Sequence, residues 1–457
     1  MEDITTYLEK NSNRIMEELF GLLKIPSISS LSEHKDDMYR AAEYYKNALL
    51  KAGMDKVEIF DTPGHPVVYA EKILSPDFPT VLVYAHADVM PVDPIELWQS
   101  PPFEPEIREG KIYARGADDD KGQGFMHVKA IEYLVNSRQL QCNVKFMIEG
   151  EEEIGSPHLE DFCQEHKDML KADIILLSDT SMIAPDTPSI TVGLRGLAYI
   201  EVEVAGPNRD LHSGLYGGIV HNPIHVLSRM IGNLHDDHGR IIIPGFYDDV
   251  RELSEEERIE FNLAPFDEES YKKSLGINCL WGESGFTPLE RIGIRPSLDV
   301  CGIWGGYTGE GSKTILPSKA SAKVSMRLVP DQDPKKIANL FENYLHEMVP
   351  NTVKLKVTAL HGGYPYLAPT NIPAYKAAQK AYLKTFGKYP IPTCSGGSIP
   401  IISTFDRVLG IKSLLLGFGL ESDAIHSPNE NFSVKNFFKG IETISEFYIQ
   451  FAHITKD

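Results

Sequence analysis

The sequence predicts an α/β protein: a mostly parallel sheet with helices on both faces, interrupted by an inserted ferredoxin-like α+β unit. Three observations carry this. Four short apolar runs, 80–85, 144–148, 173–177 and 413–417, read as buried strands. Helical patterns at 124–136 and 158–170 separate the first three, as a parallel sheet requires. Residues 195–366 change rhythm to strand, helix, strand, strand, helix, strand, the order of a split βαβ unit.

The elements follow in chain order. Residues 5–24 show apolar positions at helical spacing and stop before Ile25-Pro26. A second helix is expected over 37–53, with Ala41, Ala42, Tyr45, Leu49 and Leu50 inward and Gly53 near its C-terminus. The four buried strands and their helices come next. In the middle, 197–205 alternates as a strand and 223–235 reads as a helix. Strands are expected at 298–304 and 321–329, a helix at 333–349 and a strand at 352–360. The stretch 238–296, rich in charge and proline, is long for a connection and reads as functional or interface-forming. The expected domains are therefore 1–194 with 367–457, and 195–366 inserted between them.

A chain of 457 residues is long enough for two such cores. A formal net charge of −20 disfavours nucleic-acid backbones and anionic membranes as partners. The five cysteines are scattered without a CxxC pair, so neither a thiolate zinc site nor a disulfide framework is indicated. No apolar run reaches about 18 residues, so no membrane span is expected. The acidic start, Met1-Glu2-Asp3, lacks the basic and apolar regions of a secretory signal. A cytoplasmic protein is the expectation.

Ligands in such sheets bind beyond the carboxyl ends of the strands. His86 and Asp88 follow the first strand, Glu151-Glu152-Glu153 the second, Asp179 the third and His426 the last. Asp118-Asp119-Asp120 lie in a turn that opens a helix. Singly, each has an ordinary reading: a strand exit, an N-capping acid, a solvated glutamate face, a turn, a surface loop. Jointly they resemble a carboxylate-and-histidine site for two divalent cations, which makes water a nucleophile at neutral pH. A hydrolase is the leading expectation. The glutamate run could supply both a ligand and a general base; the residues alone leave open which acid does what.

Five motifs resemble those of the M20 metallopeptidases, especially the carnosinase-like dipeptidase branch. They are Tyr84 to Val92, Ala114 to Gln123, Glu149 to Ser156, Ser178-Asp179 and Ala424 to Glu430, in the family's order over nearly the whole chain. The family pattern Asp-x-Lys-Gly selects Asp119. The pattern Glu-Glu-x-Gly-Ser selects Glu152 as base and Glu153 as ligand. The resemblance implies that Asp119 bridges two metals, with His86 and Asp179 on one, Glu153 and His426 on the other, and Asp88 orienting His86. It implies two divalent ions per subunit, zinc in first place, with manganese or cobalt as alternatives.

The inserted domain resembles the family's lid and dimerisation domain. The segment Asp210 to Gly218 resembles the one whose histidine, here His212, reaches the partner's site and steadies the oxyanion. Arg327 resembles the arginine that clamps a substrate carboxylate. The Gly396 to Pro400 loop, with Gly397 and Ser398, resembles the loop that adds contacts to that carboxylate, and Thr314 is a further candidate for the same pocket. Without the resemblance, His212 and the glycine loop read as ordinary turns and Arg327 equally as an outward salt-bridge residue. The implied function is hydrolysis of dipeptides or short peptides with a free C-terminal carboxylate, by a homodimer. The alternatives are an N-acyl-amino-acid deacylase or succinyl-diaminopimelate desuccinylase of the same family, and a non-catalytic binding protein on the same fold.

Overall fold

The computed structural model describes residues 3–396 and 399–454. The chain divides into two compact units: Met1–Val192 with Ala368–Thr393 and Ile401–Asp457, and Gly193–Leu367 with Cys394–Pro400.

The first unit is built on a mixed sheet. Its strands run in the order Lys56–Phe60, Val67–Lys72, Asn143–Glu149, Thr80–His86, Ile174–Leu177, Ser413–Leu415, Ser189–Leu194. The four strands from Asn143–Glu149 to Ser413–Leu415 pair in parallel. The flanks are antiparallel. Every residue of Asn143–Glu149 and of Ile174–Leu177 is buried, which is why both show as apolar runs, the first interrupted by Lys145, whose Nζ donates to the Met169 and Lys171 carbonyls at 2.7 Å. The flanking strand Lys56–Phe60 is short and half-exposed, so its sequence carries no such signal.

Helix Ile4–Leu23 starts at Asp3, whose carboxylate accepts the Thr6 N–H at 3.0 Å. Helix Lys35–Lys51 turns Ala41, Ala42, Tyr45, Ala48 and Leu49 inward. Leu50, expected inward, is 47% exposed. One residue past Leu49 is a rotation of roughly 100°, which carries it off the buried stripe. Helix Lys121–Asn136 is buried nearly all round and packs against Ile4–Leu23 and Val434–Ile454. The helix expected at 158–170 is two, Leu159–Glu165 and Lys167–Leu170, because His166 leaves helical geometry between them. Among the described residues no helix is long and apolar enough to cross a membrane.

The second unit carries an antiparallel sheet in the order Ser297–Gly305, Lys319–Leu328, Gly196–Ala205, Lys354–Gly363. In Gly196–Ala205 burial alternates strictly, with Ala198, Ile200, Val202 and Val204 inward. Helices Pro223–Gly232 and Pro334–Met348 cover that inner face. Each begins at a side-chain cap with proline at the first helical position: Asn222 accepts the Ile224 N–H at 2.9 Å, and Asp333 the Lys335 N–H at 2.7 Å. The 238–296 stretch contains three short helices, Glu255–Phe261, Glu268–Leu275 and Pro288–Gly293. Arginine–carboxylate forks hold it: Arg295 on Glu283 at 2.8 and 2.7 Å, and Arg258 on Glu290 at 2.6 and 2.9 Å.

Candidate metal centre

His86 closes the strand Thr80–His86 and its ring is fully buried. Its Nδ1 lies 3.0 Å from the Asp88 main-chain oxygen and 3.4 Å from the Asp88 carboxylate. A proton on Nδ1 donated to Asp88 leaves Nε2 free as a ligand. That Nε2 faces Asp119 Oδ1 at 3.1 Å. The other Asp119 oxygen, Oδ2, lies 2.9 Å from His426 Nε2, which is also 3.2 Å from Glu153 Oε2. Two triads result, His86–Asp119–Asp179 and Asp119–Glu153–His426, with the ligand atoms of each within 4.8 Å of one another. Asp119 belongs to both.

Local structure explains the convergence. His86 and Asp179 project from the ends of neighbouring parallel strands. Asp119 sits in a tight turn whose Asp119–Asp120 peptide is cis. The turn closes with the Gly122 N–H on the Gly116 carbonyl at 3.1 Å. A Cβ at Gly122 would lie 1.8 Å from the Ala117 carbonyl oxygen, so only glycine fits there. His426 rides on a loop with positive φ at Ala424, His426 and Asn429. Asn429 pins that loop, accepting the Gln99 N–H at 2.8 Å and donating to the Leu97 carbonyl at 2.9 Å.

The acidic runs sort themselves by contact. Glu151 is engaged elsewhere: its carboxylate accepts the His65 N–H at 3.1 Å and lies 2.9 Å from His158 Nδ1. Asp120 accepts the His86 N–H at 3.2 Å, and Asp118 is buried outside both triads. Glu152 opens a short 3₁₀ turn, and its N–H donates to Asp88 Oδ1 at 3.2 Å. The Glu153 N–H donates to Asp88 Oδ2 at 3.1 Å. Asp88 thus anchors the glutamate turn as well as flanking His86. An HxD pair on a strand gives no sign of this second task.

Burial pushes Glu152 up to about 7, with Asp119, Glu153 and Asp88 adding to the rise and His86 opposing it. Burial likewise raises Asp179 and Glu153, each further lifted by the Asp119 charge. Hydrogen bonds to Asp119 and Glu153 lift His426 to about 10. Burial works against protonation of His86, while its contacts with Asp119 and Asp88 favour it and shift the group well above the ordinary imidazole range. The cluster therefore crowds buried carboxylates together, which favours protons on the acids and on the two imidazoles alike. Divalent cations would displace those protons and take over the compensation. The imidazole-and-carboxylate donor set fits zinc, manganese or cobalt.

Of the remaining sequence-predicted residues, His212, Thr314 and Arg327 lie in the second unit. His212 ends the short strand Leu211–His212, is exposed, and accepts the Gly214 N–H on Nδ1 at 3.0 Å. The Ser213 N–H donates to the Thr314 carbonyl at 3.1 Å, so Thr314 stands beside His212. Arg327 is half-buried on Lys319–Leu328, opposite Leu197 and Ser297. Gly397 and Ser398 lie outside the described residues. Two residues with no predicted role, Arg115 and Glu430, form a buried ion pair of 2.8 Å behind Asp119. Charged residues inside otherwise apolar or glycine-bearing motifs were the available signal.

Comparison with known proteins gives the family. The profile of peptidase family M20/M25/M40 matches residues 82–450. The chain is 30% identical to the Cys-Gly metallodipeptidase dug1 of Schizosaccharomyces pombe, over 100% of this chain and 99% of that protein. A crystal structure of an M20 family metallo-carboxypeptidase from Sulfolobus solfataricus superposes with a TM-score of 0.84 at 37% identity, covering 96% of this chain and 99% of that one. Human carnosine dipeptidase 1 superposes with a TM-score of 0.80 at 30% identity, covering 98% of each chain. The chain belongs to the peptidase family M20/M25/M40.

Proposed function

We propose that this protein is a dinuclear metallopeptidase that hydrolyses the amide bond of dipeptides or short peptides bearing a free C-terminal carboxylate. The observation that carries the reading is Asp119, whose two oxygens face His86 at 3.1 Å and His426 at 2.9 Å. His86, Asp119 and Asp179 would hold one divalent ion and Asp119, Glu153 and His426 the other. Zinc is the first choice, with manganese or cobalt as substitutes. Divalent cations in such sites acidify water and polarise an amide carbonyl.

The chain's own residues supply the rest. Glu152 takes the proton of the attacking water and returns it to the leaving amine. Asp88 holds the Glu152–Glu153 backbone and the His86 tautomer. Arg327 receives the substrate carboxylate as a fork, with Thr314, Gly397 and Ser398 as further contacts. His212 steadies the oxyanion from the partner subunit of a homodimer. The first unit would then be catalytic, and the inserted one a lid and dimerisation domain. Free, scattered cysteines suit a reducing cytoplasm.

The dipeptide reading is supported by likeness to the Cys-Gly and carnosine dipeptidases. The Sulfolobus carboxypeptidase favours a second reading, removal of the C-terminal residue from longer peptides. A panel of dipeptides, longer peptides and N-acyl amino acids, assayed with Zn²⁺, with Mn²⁺ and with a chelator, tests both. The expected result is metal-dependent cleavage that is fastest on dipeptides. Faster cleavage of longer peptides selects the carboxypeptidase reading, and cleavage of N-acyl amino acids alone rejects both.

A further inference from the structure

Glu430 is fully buried, and the chemistry above gives it no task. Its carboxylate is surrounded by donors from one turn. Oε2 accepts from Arg115 Nη1 at 2.8 Å and from the Gly116 N–H at 3.0 Å. Oε1 accepts from the Asp118 N–H at 3.1 Å and the Asp119 N–H at 3.2 Å. The Ala114 N–H adds a bond to the Glu430 main-chain oxygen at 3.2 Å. All these donors belong to the turn that carries Asp119. Glu430 itself lies just beyond His426, on the loop that Asn429 pins to Leu97 and Gln99.

One carboxylate therefore joins the two segments that meet at the 2.9 Å contact between Asp119 Oδ2 and His426 Nε2. The other ligands have separate supports. His86 and Asp179 come from strand ends of the parallel sheet core, and Asp88 fixes Glu153. Only the Asp119–Glu153–His426 triad combines the turn with the loop. A glutamate is also the residue this position demands. Four donors converge on two oxygens, and an ionised carboxylate is acceptor-only. A glutamine would aim N–H groups at part of that donor set.

We propose that Glu430 is a positioning residue that sets the separation of Asp119 and His426, and with it the affinity of the second cation site. The inference rests on the dinuclear reading. A plain core salt bridge between Arg115 and Glu430 would affect stability without discriminating between the two sites.

The test is Co²⁺ titration of metal-free wild type and Glu430→Gln. Cobalt d–d absorption follows the coordination, native mass spectrometry counts the ions, and circular dichroism checks the fold. Wild type is expected to take up two ions per chain. The variant should bind the first within about threefold of wild type and the second about 10–100-fold more weakly, the range for groups behind metal ligands. Its spectrum at saturation should differ from wild type in the second increment. Should Glu430→Gln leave Arg115 unpaired and unfold the chain, Arg115→Met/Glu430→Gln, which buries no lone charge, is titrated with the same expectation. Two ions at wild-type affinity, or equal weakening at both sites, overturns the inference alone. Wild type binding no cobalt overturns the dinuclear reading and this inference with it.

Discussion

Asp88 receives the backbone N–H of Glu152 on its carboxylate at 3.2 Å, and that contact sets where the proposed base stands. Because the backbone is held from behind, the Glu152 side chain is not needed to keep the turn in place. Glu152→Gln should therefore retain the fold and both cations while losing turnover on the order of 10²-fold or more. Steady-state kinetics beside metal analysis checks this. A variant with near-native kcat would move the base to another residue.

Asp119→Ala should release both cations together, since each triad loses its shared member. Metal content is expected to fall well below one ion per chain after dialysis. Stoichiometry staying near two would exclude bridging by Asp119.

What the sequence made legible follows from burial. Strands Asn143–Glu149 and Ile174–Leu177 are covered on both faces, so apolar residues dominate them and the runs stand out despite the buried Lys145. Strand Lys56–Phe60 meets solvent and leaves no such trace. The site was visible as residue types at strand ends, because that edge is where a parallel sheet presents ligands. Choosing Asp119 and Glu153 within their runs was beyond composition. That choice depends on where neighbours are engaged, as Glu151 is by His65 and His158. Asp88 anchoring the glutamate turn, and Glu430 saturating the Asp119 turn, are long-range contacts that no local spacing encodes.

The half-buried ion-pair network of Glu18 with Arg14, Lys51 and Lys129 gives a pH prediction. Burial alone would raise Glu18, but hydrogen bonds from Lys129, Lys51 and Arg14 outweigh it and lower its pKa from 4.5 to about 2. A carboxyl with a depressed folded-state pKa contributes stability above its unfolded pKa. That contribution is lost as pH falls through the folded value. Glu18→Gln should thus destabilise the protein by about 1 kcal/mol at pH 7, since solvent around Lys51 and Arg14 screens part of the interaction, and the gap to wild type should close between about pH 5 and pH 2. Urea melts across that range measure it. A gap independent of pH would mean the charge of Glu18 is not what stabilises.

Arg327→Ala should raise KM for free-carboxylate substrates much more than for their C-terminal amides. A guanidinium fork matches a carboxylate and gains little from a neutral amide. Equal losses on both substrate types would make Arg327 a structural residue of its strand.

The last prediction concerns assembly. The four-stranded sheet of the second unit ends at Ser297–Gly305, an edge strand bearing Ile303, 56% exposed, and Trp304, 47% exposed. Apolar side chains on an open edge favour pairing with another chain. His212, proposed to act in trans, is itself exposed and held by its bond to the Gly214 N–H. If it completes the neighbour's site, two defects can be separated between subunits. Glu152→Gln and His212→Ala should each be nearly inactive as homodimers. In the mixed dimer, the His212→Ala subunit keeps its own Glu152 and receives an intact His212 from its partner, so one site has both groups. The other site lacks both. Co-refolded mixtures should therefore regain activity up to about one competent site per heterodimer, as twofold symmetry dictates. Recovery is measured on heterodimers isolated through two different affinity tags. Isolated heterodimers as inactive as the parents, or a native protein that runs as a fully active monomer, would remove His212 from the partner's site.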